Sequence, residues 1–115
     1  AARSATLDGQ ELQVLLEAAE AGDVESQVYA GRLSLSGEAG AERDVAAARE
    51  WFSRAAEQGS AEAQYNLGML LATGDGVERD AEQGAEWLAR ASEQGVGLAQ
   101  YFLAVMCMQG DGVPL

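Results

Sequence analysis

Two copies of the tetrapeptide Gly-Asp-Gly-Val are the segments of this sequence that most resemble a chemical site. They span residues 74–77 and 110–113. A calcium loop needs several oxygen ligands at alternate positions, whereas Asp75 and Asp80 offer two carboxylates at a spacing that does not converge. A phosphate loop of the Walker type needs a glycine followed by lysine, and the sequence contains no lysine. We therefore interpret both copies as turns.

The other candidates for catalysis are one cysteine and the many acidic residues. Cys107 has no histidine to act as its base, because the sequence contains none, and we expect it to be a small buried residue of a helix. Glu82 and Glu86 lie one helical turn apart, but nothing sets one carboxyl apart as the acid. We expect Glu50 to pair with Arg54, and Glu86 with Arg90, on exposed helix faces. The sequence therefore predicts no catalytic residue, no metal site, no cofactor and no enzymatic activity.

The composition excludes further classes of function. The 115 residues correspond to a single domain, and 7 arginines against 19 acidic residues give a net charge of −12. Nucleic acids and anionic membrane surfaces require a cationic face, and no run of 18 apolar residues is present to insert into a bilayer. The sequence therefore predicts neither nucleic-acid binding nor membrane insertion, and it favours a partner with a basic patch.

The chain repeats itself about every 36 residues, and this periodicity determines where the side chains lie. Similar Ala/Ser-Glu-x-Gly segments end at Gly22, Gly59 and Gly95, which are 37 and 36 residues apart. Trp51 and Trp87 lie 36 residues apart in the matching segments 43–56 and 79–92. The extra residue of the first step falls in a loop that contains Gly40, and insertions are tolerated in turns.

Each repeat reads as two antiparallel helices, A and B, joined by the glycine turn. In the second repeat, helix A runs from Ser60 or Ala61 to Thr73, and Gly74 ends it. Helix B begins at Asp80 as its N-cap and closes at Gly95. With a first helix over about residues 8–21 and a third repeat that lacks its B helix, we predict an all-α superhelix of six helices. Its units are a capping helix over residues 1–22, repeats over 23–59 and 60–95, and a partial repeat over 96–115.

The predicted core consists of small and branched residues at helical spacing. In the second repeat the inward positions are Ala63, Leu67, Leu70 and Leu71 on helix A, and Ala81, Ala85, Leu88, Ala89 and Ser92 on helix B. Gly31, Gly68 and Ala104 allow paired helices to approach closely. Because large residues are scarce, we expect Trp51 and Trp87 to supply much of the buried area.

These residues resemble the Sel-one-like repeat family, a relative of the tetratricopeptide repeats. The second repeat carries that family's pattern nearly throughout, at Ala63, Leu67, Gly68, Gly74, Gly76, Val77, Asp80, Trp87, Ala91 and Gly95. The first repeat departs from it, since Ala30 replaces the leucine and a longer loop with Gly40 replaces the turn. The resemblance covers about residues 17–113. It implies a right-handed solenoid whose concave face, lined by A helices, binds another protein or a peptide, with no catalytic residues.

A second set of A-helix residues points away from the inward stripe and forms the predicted partner-binding surface. Tyrosine, methionine and arginine are enriched at protein interfaces. An alternative remains, in which the tyrosines pack between adjacent A helices. The exposed end of the third repeat also predicts self-association. The predicted contact residues are Tyr29, Arg32, Tyr65, Asn66, Met69, Tyr101, Phe102 and Val105.

The resemblance implies three roles for such a surface. Members of the family serve as bacterial adaptors or regulators, and some are immunity proteins that neutralise secreted effectors. Some cysteine-rich relatives suggest a hydrolase of cell-wall-like substrates, but they carry a disulfide in each repeat, whereas this sequence has one cysteine. The sequence leaves the localisation open between the bacterial cytoplasm and the periplasm or cell envelope.

Overall fold

Six α-helices account for the regular structure of the chain over residues 8–37 and 43–113, which are the residues that this computed structural model describes. The helices are α1 (Gly9–Glu20), α2 (Val24–Ser36), α3 (Val45–Glu57), α4 (Ala61–Thr73), α5 (Ala81–Glu93) and α6 (Gly97–Gln109). The predicted all-α class and the number of helices are confirmed. Gly40 and the longer first loop lie outside the described residues.

Short polar side chains set the starts of most helices. Asp8, Asp23, Asp44, Ser60 and Asp80 each accept a hydrogen bond from the backbone N–H three residues further on. The predicted cap at Asp80 is confirmed by a distance of 3.0 Å from Gln83 N to Asp80 Oδ1. At Asp23, hydrogen bonds from the Ser26 hydroxyl and backbone N–H lower the pKa of the carboxyl. These caps satisfy N–H groups that have no partner inside a helix.

Glycines end the A helices α2, α4 and α6. Gly37, Gly74 and Gly110 have φ angles of 76°, 70° and 64°, in the left-handed region where a side chain is disfavoured. The predicted role of Gly74 is thus confirmed. The last residue of the B helix α5 is Glu93, and Gly95 closes it as predicted, with a φ angle of 92°. The Gly95 N–H bonds to the Ser92 carbonyl at 2.9 Å and the Val96 N–H to the Ala91 carbonyl at 3.1 Å, which is the usual pattern of a helix that ends in glycine.

Each helix packs against the next along the chain, from α1 with α2 to α5 with α6. The radius of gyration is 15.0 Å and the dimensions are 51 × 27 × 23 Å. A compact domain of this length would have a radius of gyration of about 13 Å. The helix pairs therefore stack in one direction, as the predicted solenoid requires.

The inward stripe of helix A in the second repeat is confirmed, because its four predicted residues are all buried. On α5, Ala85 and Leu88 are buried as predicted, while Ala81, Ala89 and Ser92 are only half-buried. Gly84 and Ala91 are buried instead. A Cβ atom placed on Gly68 would meet the Leu88 Cγ atom at 2.8 Å. The glycine therefore lets α4 and α5 lie closer together than two alanine-faced helices could.

The two tryptophans lie at the edge of the core rather than at its centre, and Trp87 packs against the first hydrophobic cluster. Both are half-buried, whereas the largest fully buried side chains are Phe52, Leu71 and Leu88. The guanidinium of Arg54 lies 4.9 Å from the ring centre of Trp51, and that of Arg90 lies 4.7 Å from Trp87. Each ring thus keeps one face at the surface, where an arginine covers it.

A ladder of glutamines joins consecutive units, and sequence reasoning missed it. Gln64 is buried; its Nε2 donates to the Ala56 carbonyl at 3.2 Å, and its Oε1 accepts from Gln94 Nε2 at 2.9 Å. Gln27 and Gln58 make the equivalent bond one unit earlier, also at 2.9 Å. The recurrence of glutamine at equivalent positions of the repeat, at Gln27 and Gln64 and at Gln58 and Gln94, could have indicated this ladder. The glutamine pairs join the two helices of one unit, and the bond to the Ala56 carbonyl joins that unit to the preceding one. No buried side-chain N or O atom is without a partner in the part of the chain that is described.

Candidate functional site: the A-helix face

The predicted contact residues all lie on α2, α4 and α6, mostly on one side of these helices, which we call the A-helix face. Tyr29 and Arg32 are exposed, while Asn66, Met69 and Val105 are half-buried. The spacing of three and four residues puts these positions on the same side of each helix. The face comprises Glu25, Tyr29, Arg32 and Ser36 on α2, Glu62, Asn66, Met69 and Thr73 on α4, and Leu98, Phe102, Val105 and Gln109 on α6.

An aromatic cluster joins α4 and α6 along the edge of this face. The ring centres of Tyr65 and Phe102 lie 6.5 Å apart, and Tyr101 meets Phe102 edge-on at 5.2 Å. Tyr65, Met69 and Phe102 pack against the buried core formed by α5 and α6. For Tyr65 the structure therefore shows the alternative geometry, packing between adjacent A helices. Tyr101 is 62% exposed and remains accessible.

A polar cluster joins α2 and α4 at the other side of the face. The Arg32 guanidinium lies 5.6 Å from the ring centre of Tyr29 and 3.7 Å from the Glu62 carboxylate. Both charged side chains are more than half exposed, and exposed ion pairs contribute about 0–1 kcal/mol. Arg32 is therefore held weakly and can turn to a partner at little cost. Tyr29 does not join the aromatic cluster of α4 and α6.

The face changes in polarity from α2 to α6. Glu25, Arg32 and Glu62 supply charges on the α2 and α4 side, whereas α6 carries no charged residue over its 13 positions. Leu98 on α6 is 58% exposed. The arrangement can therefore hold polar or basic groups at one side and bury apolar side chains at the other.

The turn aspartates have structural partners. Asp75 pairs with Arg43 at 3.5 Å, and Asp111 pairs with Arg79. The Nε atom of Arg79 also donates to the Ala72 carbonyl at 2.8 Å. Val77 and Val113 pack against the two hydrophobic clusters of the core. Each turn is thus tied to the preceding one. Among the described residues no group of three or more acidic or cysteine side chains could hold a metal ion.

Two expectations about single side chains are wrong. Cys107 is exposed rather than buried, because α5 covers its repeat equivalent Leu71, whereas no helix in residues 8–37 and 43–113 covers α6 in that way. Arg54 pairs with Glu20 at 3.2 Å rather than with Glu50. Glu20 belongs to the preceding unit, so this ion pair joins two units instead of supporting one helix.

The described part of the chain contains no helix that is both long and apolar enough to cross a membrane. The recess beside Tyr29, Arg32, Leu33 and Ser36 measures only about 160 Å³, and a wider cavity of about 540 Å³ between α1 and α2, which Tyr29 also lines, is open to solvent. Pockets for drug-sized ligands measure about 300–1,000 Å³. The geometry of the face therefore suits contact with a larger partner across a surface.

A family model and two solved structures all relate this chain to the same kind of repeat protein. A family model described as Sel1 repeat matches residues 24–60, 61–96 and 97–115. A Sel1 repeat protein from Oxalobacter formigenes is 36% identical with a TM-score of 0.76, covering 90% of this chain and 77% of its own. The protein c5321 of uropathogenic Escherichia coli, described as a protective antigen with an SLR fold, is 37% identical with a TM-score of 0.82. That similarity covers 89% of this chain, which spans 22% of the length of c5321. No curated protein sequence gives a significant match.

Proposed function

Because this chain belongs to the Sel1 repeat family, whose members are generally protein–protein interaction modules, we propose that it binds a partner protein or peptide on the A-helix face. The continuity of that face carries the proposal, since an ion pair joins α2 to α4 and an aromatic cluster joins α4 to α6. The eight predicted contact residues are proposed to make or support this contact. The role is that of a bacterial adaptor or regulator.

The polarity of the face defines how the partner would be held. Apolar side chains of the partner would pack on Tyr101, Phe102 and Val105, where α6 brings no charge that must lose water. A basic group of the partner would contact Glu25 or Glu62, and Arg32 would hold a carbonyl or carboxylate. Tyr65 and Met69, which pack against the core, would support the contact from beneath.

The net charge of −12 would attract a basic partner over distances comparable to the Debye length. Association with the natural partner should therefore slow and weaken as the salt concentration rises. A partner whose affinity is the same at low and high salt would contradict the basic character that we propose, although not the location of the face.

The test is affinity capture from the source organism, followed by titration of the purified partner against variants of the face. Arg32→Ala combined with Asn66→Arg alters two positions that project from α2 and α4, and it should abolish binding. Arg49→Ala combined with Gln83→Arg makes the same changes in charge at exposed positions of the B helices and should leave binding unaltered. Full affinity in the first double variant would refute the proposal.

The identity of the partner separates an adaptor from an immunity protein. Capture of a secreted bacterial effector that the chain inhibits would indicate an immunity protein, whose acidic surface suits a basic toxic enzyme. Capture of a signalling or envelope-assembly component would indicate an adaptor. The same double variant should lose either partner.

A further inference from the structure

The A-helix face contains the same three repeat positions on each of its helices, and these positions differ in charge from one helix to the next. The equivalent residues lie 37 and then 36 residues apart, as the units do. They are Glu25, Glu62 and Leu98 at the first position, Tyr29, Asn66 and Phe102 at the second, and Arg32, Met69 and Val105 at the third. Of the three positions, α2 has a charged residue at two, α4 at one and α6 at none.

These positions stay accessible on a helix that has neighbours on both sides. An ion pair joins α4 to α2, and an aromatic contact joins it to α6. On α4, Glu62 is nevertheless exposed, and Asn66 and Met69 are half-buried. Accessibility of the face is therefore a property of the repeat, and the change in charge belongs to the surface that a partner meets.

The charged end of the face lies on α2. Glu25 and Tyr29 are exposed and lie one helical turn apart on the same side of the helix. Arg32 lies 3.7 Å from Glu62, so it offsets the charge of Glu62 rather than that of Glu25. A lysine or arginine of a partner can therefore place its charge at Glu25 and its apolar stem along the ring of Tyr29.

The apolar end of the face lies on α6. This helix carries no charged residue over its 13 positions. Leu98, at the repeat position of Glu25 and Glu62, is 58% exposed. A charged side chain of a partner would lose water here without gaining an opposite charge, whereas an apolar side chain would gain by leaving water. The two ends therefore select opposite kinds of side chain.

We propose that the face binds an extended segment of the partner in one direction only, with a basic residue at α2 and an apolar residue at α6. The inference rests on the proposed function and specifies its ligand. An extended segment has free backbone N–H and C=O groups to which Arg32 and Asn66 can bond, whereas a helix has already paired its own. Adjacent helices lie about 8–10 Å apart, so the ends of the face are separated by about 16–20 Å, which an extended segment spans in about five or six residues.

Selection of a phage-displayed library of random twelve-residue peptides on the full chain tests the proposal. Enriched peptides should carry a basic and an apolar residue about five or six positions apart, always in the same order from the N-terminus to the C-terminus. In calorimetric titration, a synthetic peptide with the enriched sequence should bind at least about tenfold more tightly than the peptide of reversed sequence.

The decisive variant exchanges the two ends of the face. Glu25→Leu combined with Leu98→Glu moves one acid from α2 to α6, at exposed positions in the first turn of each helix, and leaves the net charge unaltered. It should enrich peptides of the opposite order and prefer the reversed peptide. Ala46→Glu combined with Glu82→Ala is the matched control, because it moves one acid between equivalent exposed positions of the B helices, and it should keep the wild-type order. Circular dichroism checks that both variants are folded.

The outcomes separate this inference from the proposed function. Enrichment of both orders at equal frequency, or an exchanged variant that keeps the wild-type order, would overturn the single direction while leaving the binding function intact. Peptides that bind equally well to the Arg32→Ala and Asn66→Arg double variant would refute the A-helix face itself. A library that yields no binder would overturn the extended segment, and affinity capture would still decide whether the face binds a folded partner.

Discussion

The close approach of α4 and α5 requires a residue without a side chain at Gly68. A methyl group at this position would lie 2.8 Å from the Leu88 Cγ atom and 3.0 Å from the Gly84 carbonyl oxygen. Carbon atoms in contact settle at about 3.5–4.0 Å. Because Leu88 is completely buried, its side chain has no space into which to move, and Gly68→Ala must push the two helices apart.

The expected loss of stability follows from two opposing terms. Overpacking of a filled core costs about 1–3 kcal/mol, and two violated contacts place this site in the upper part of that range. Alanine recovers about 1 kcal/mol through its higher helix propensity. We therefore expect Gly68→Ala to lower the free energy of unfolding by about 1–2 kcal/mol, which corresponds to a decrease in Tm of about 4–8 °C for a domain of this size.

Gly97→Ala is the matched control for this experiment. A Cβ atom on Gly97 would meet nothing within 4 Å, so the same substitution should raise the free energy of unfolding by about 0.4–1 kcal/mol. Urea denaturation of the three proteins, followed by circular dichroism, measures both effects. If Gly68→Ala proves as stable as Gly97→Ala, the packing of α4 against α5 is looser than the distances indicate.

Two further predictions concern the contacts within and between units. Gln64→Met removes the buried amide that bonds Ala56 and Gln94, and denaturation should show a loss of about 1–3 kcal/mol. Gln100→Met changes the equivalent position in α6, where the exposed amide has only a 3.5 Å contact with the Ser92 carbonyl, and should alter stability by less than about 0.5 kcal/mol. The carboxyl of Asp23 has a pKa below the ordinary value of 3.8, so its contribution to stability is present above pH 3.8 and is lost as the pH falls through the lowered pKa. Asp23→Asn should therefore lose less stability than the wild type in acid unfolding between pH 4 and pH 2, and an identical loss in the two proteins would contradict the role of this cap.

Much of the fold could be predicted because local signals and the repeat agree. Asp80 and Gly74 act at the helix ends that their chemistry indicates, and the four inward residues of helix A in the second repeat are all buried. Capping and periodicity depend on residues close in sequence, so one chain suffices to read them. The family resemblance then gave the order of stacking.

The features that the sequence did not predict depend on contacts between helices. Phe52 is buried more completely than Trp51, because Phe52 packs against Gly31 of the paired helix, whereas Arg54 lies over the ring of Trp51. Cys107 occupies an inward position of the pattern, yet its exposure is set by whether a neighbouring helix is present. In the candidate site, the helical spacing predicted that Tyr65 is accessible to a partner. The structure shows instead that Tyr65 packs near Phe102 and so supports the contact between α4 and α6.

The glutamine ladder makes the protein modular. The glutamine pairs of the ladder lie within one unit, and its other bonds reach only to backbone carbonyls of the preceding unit. A whole unit can therefore be duplicated or excised without leaving a donor or an acceptor unpaired. A deletion that is not a complete unit would instead break the ladder on both sides of the cut. Changes of length by whole units are thus the least disruptive route by which such a chain can lengthen or shorten its binding surface.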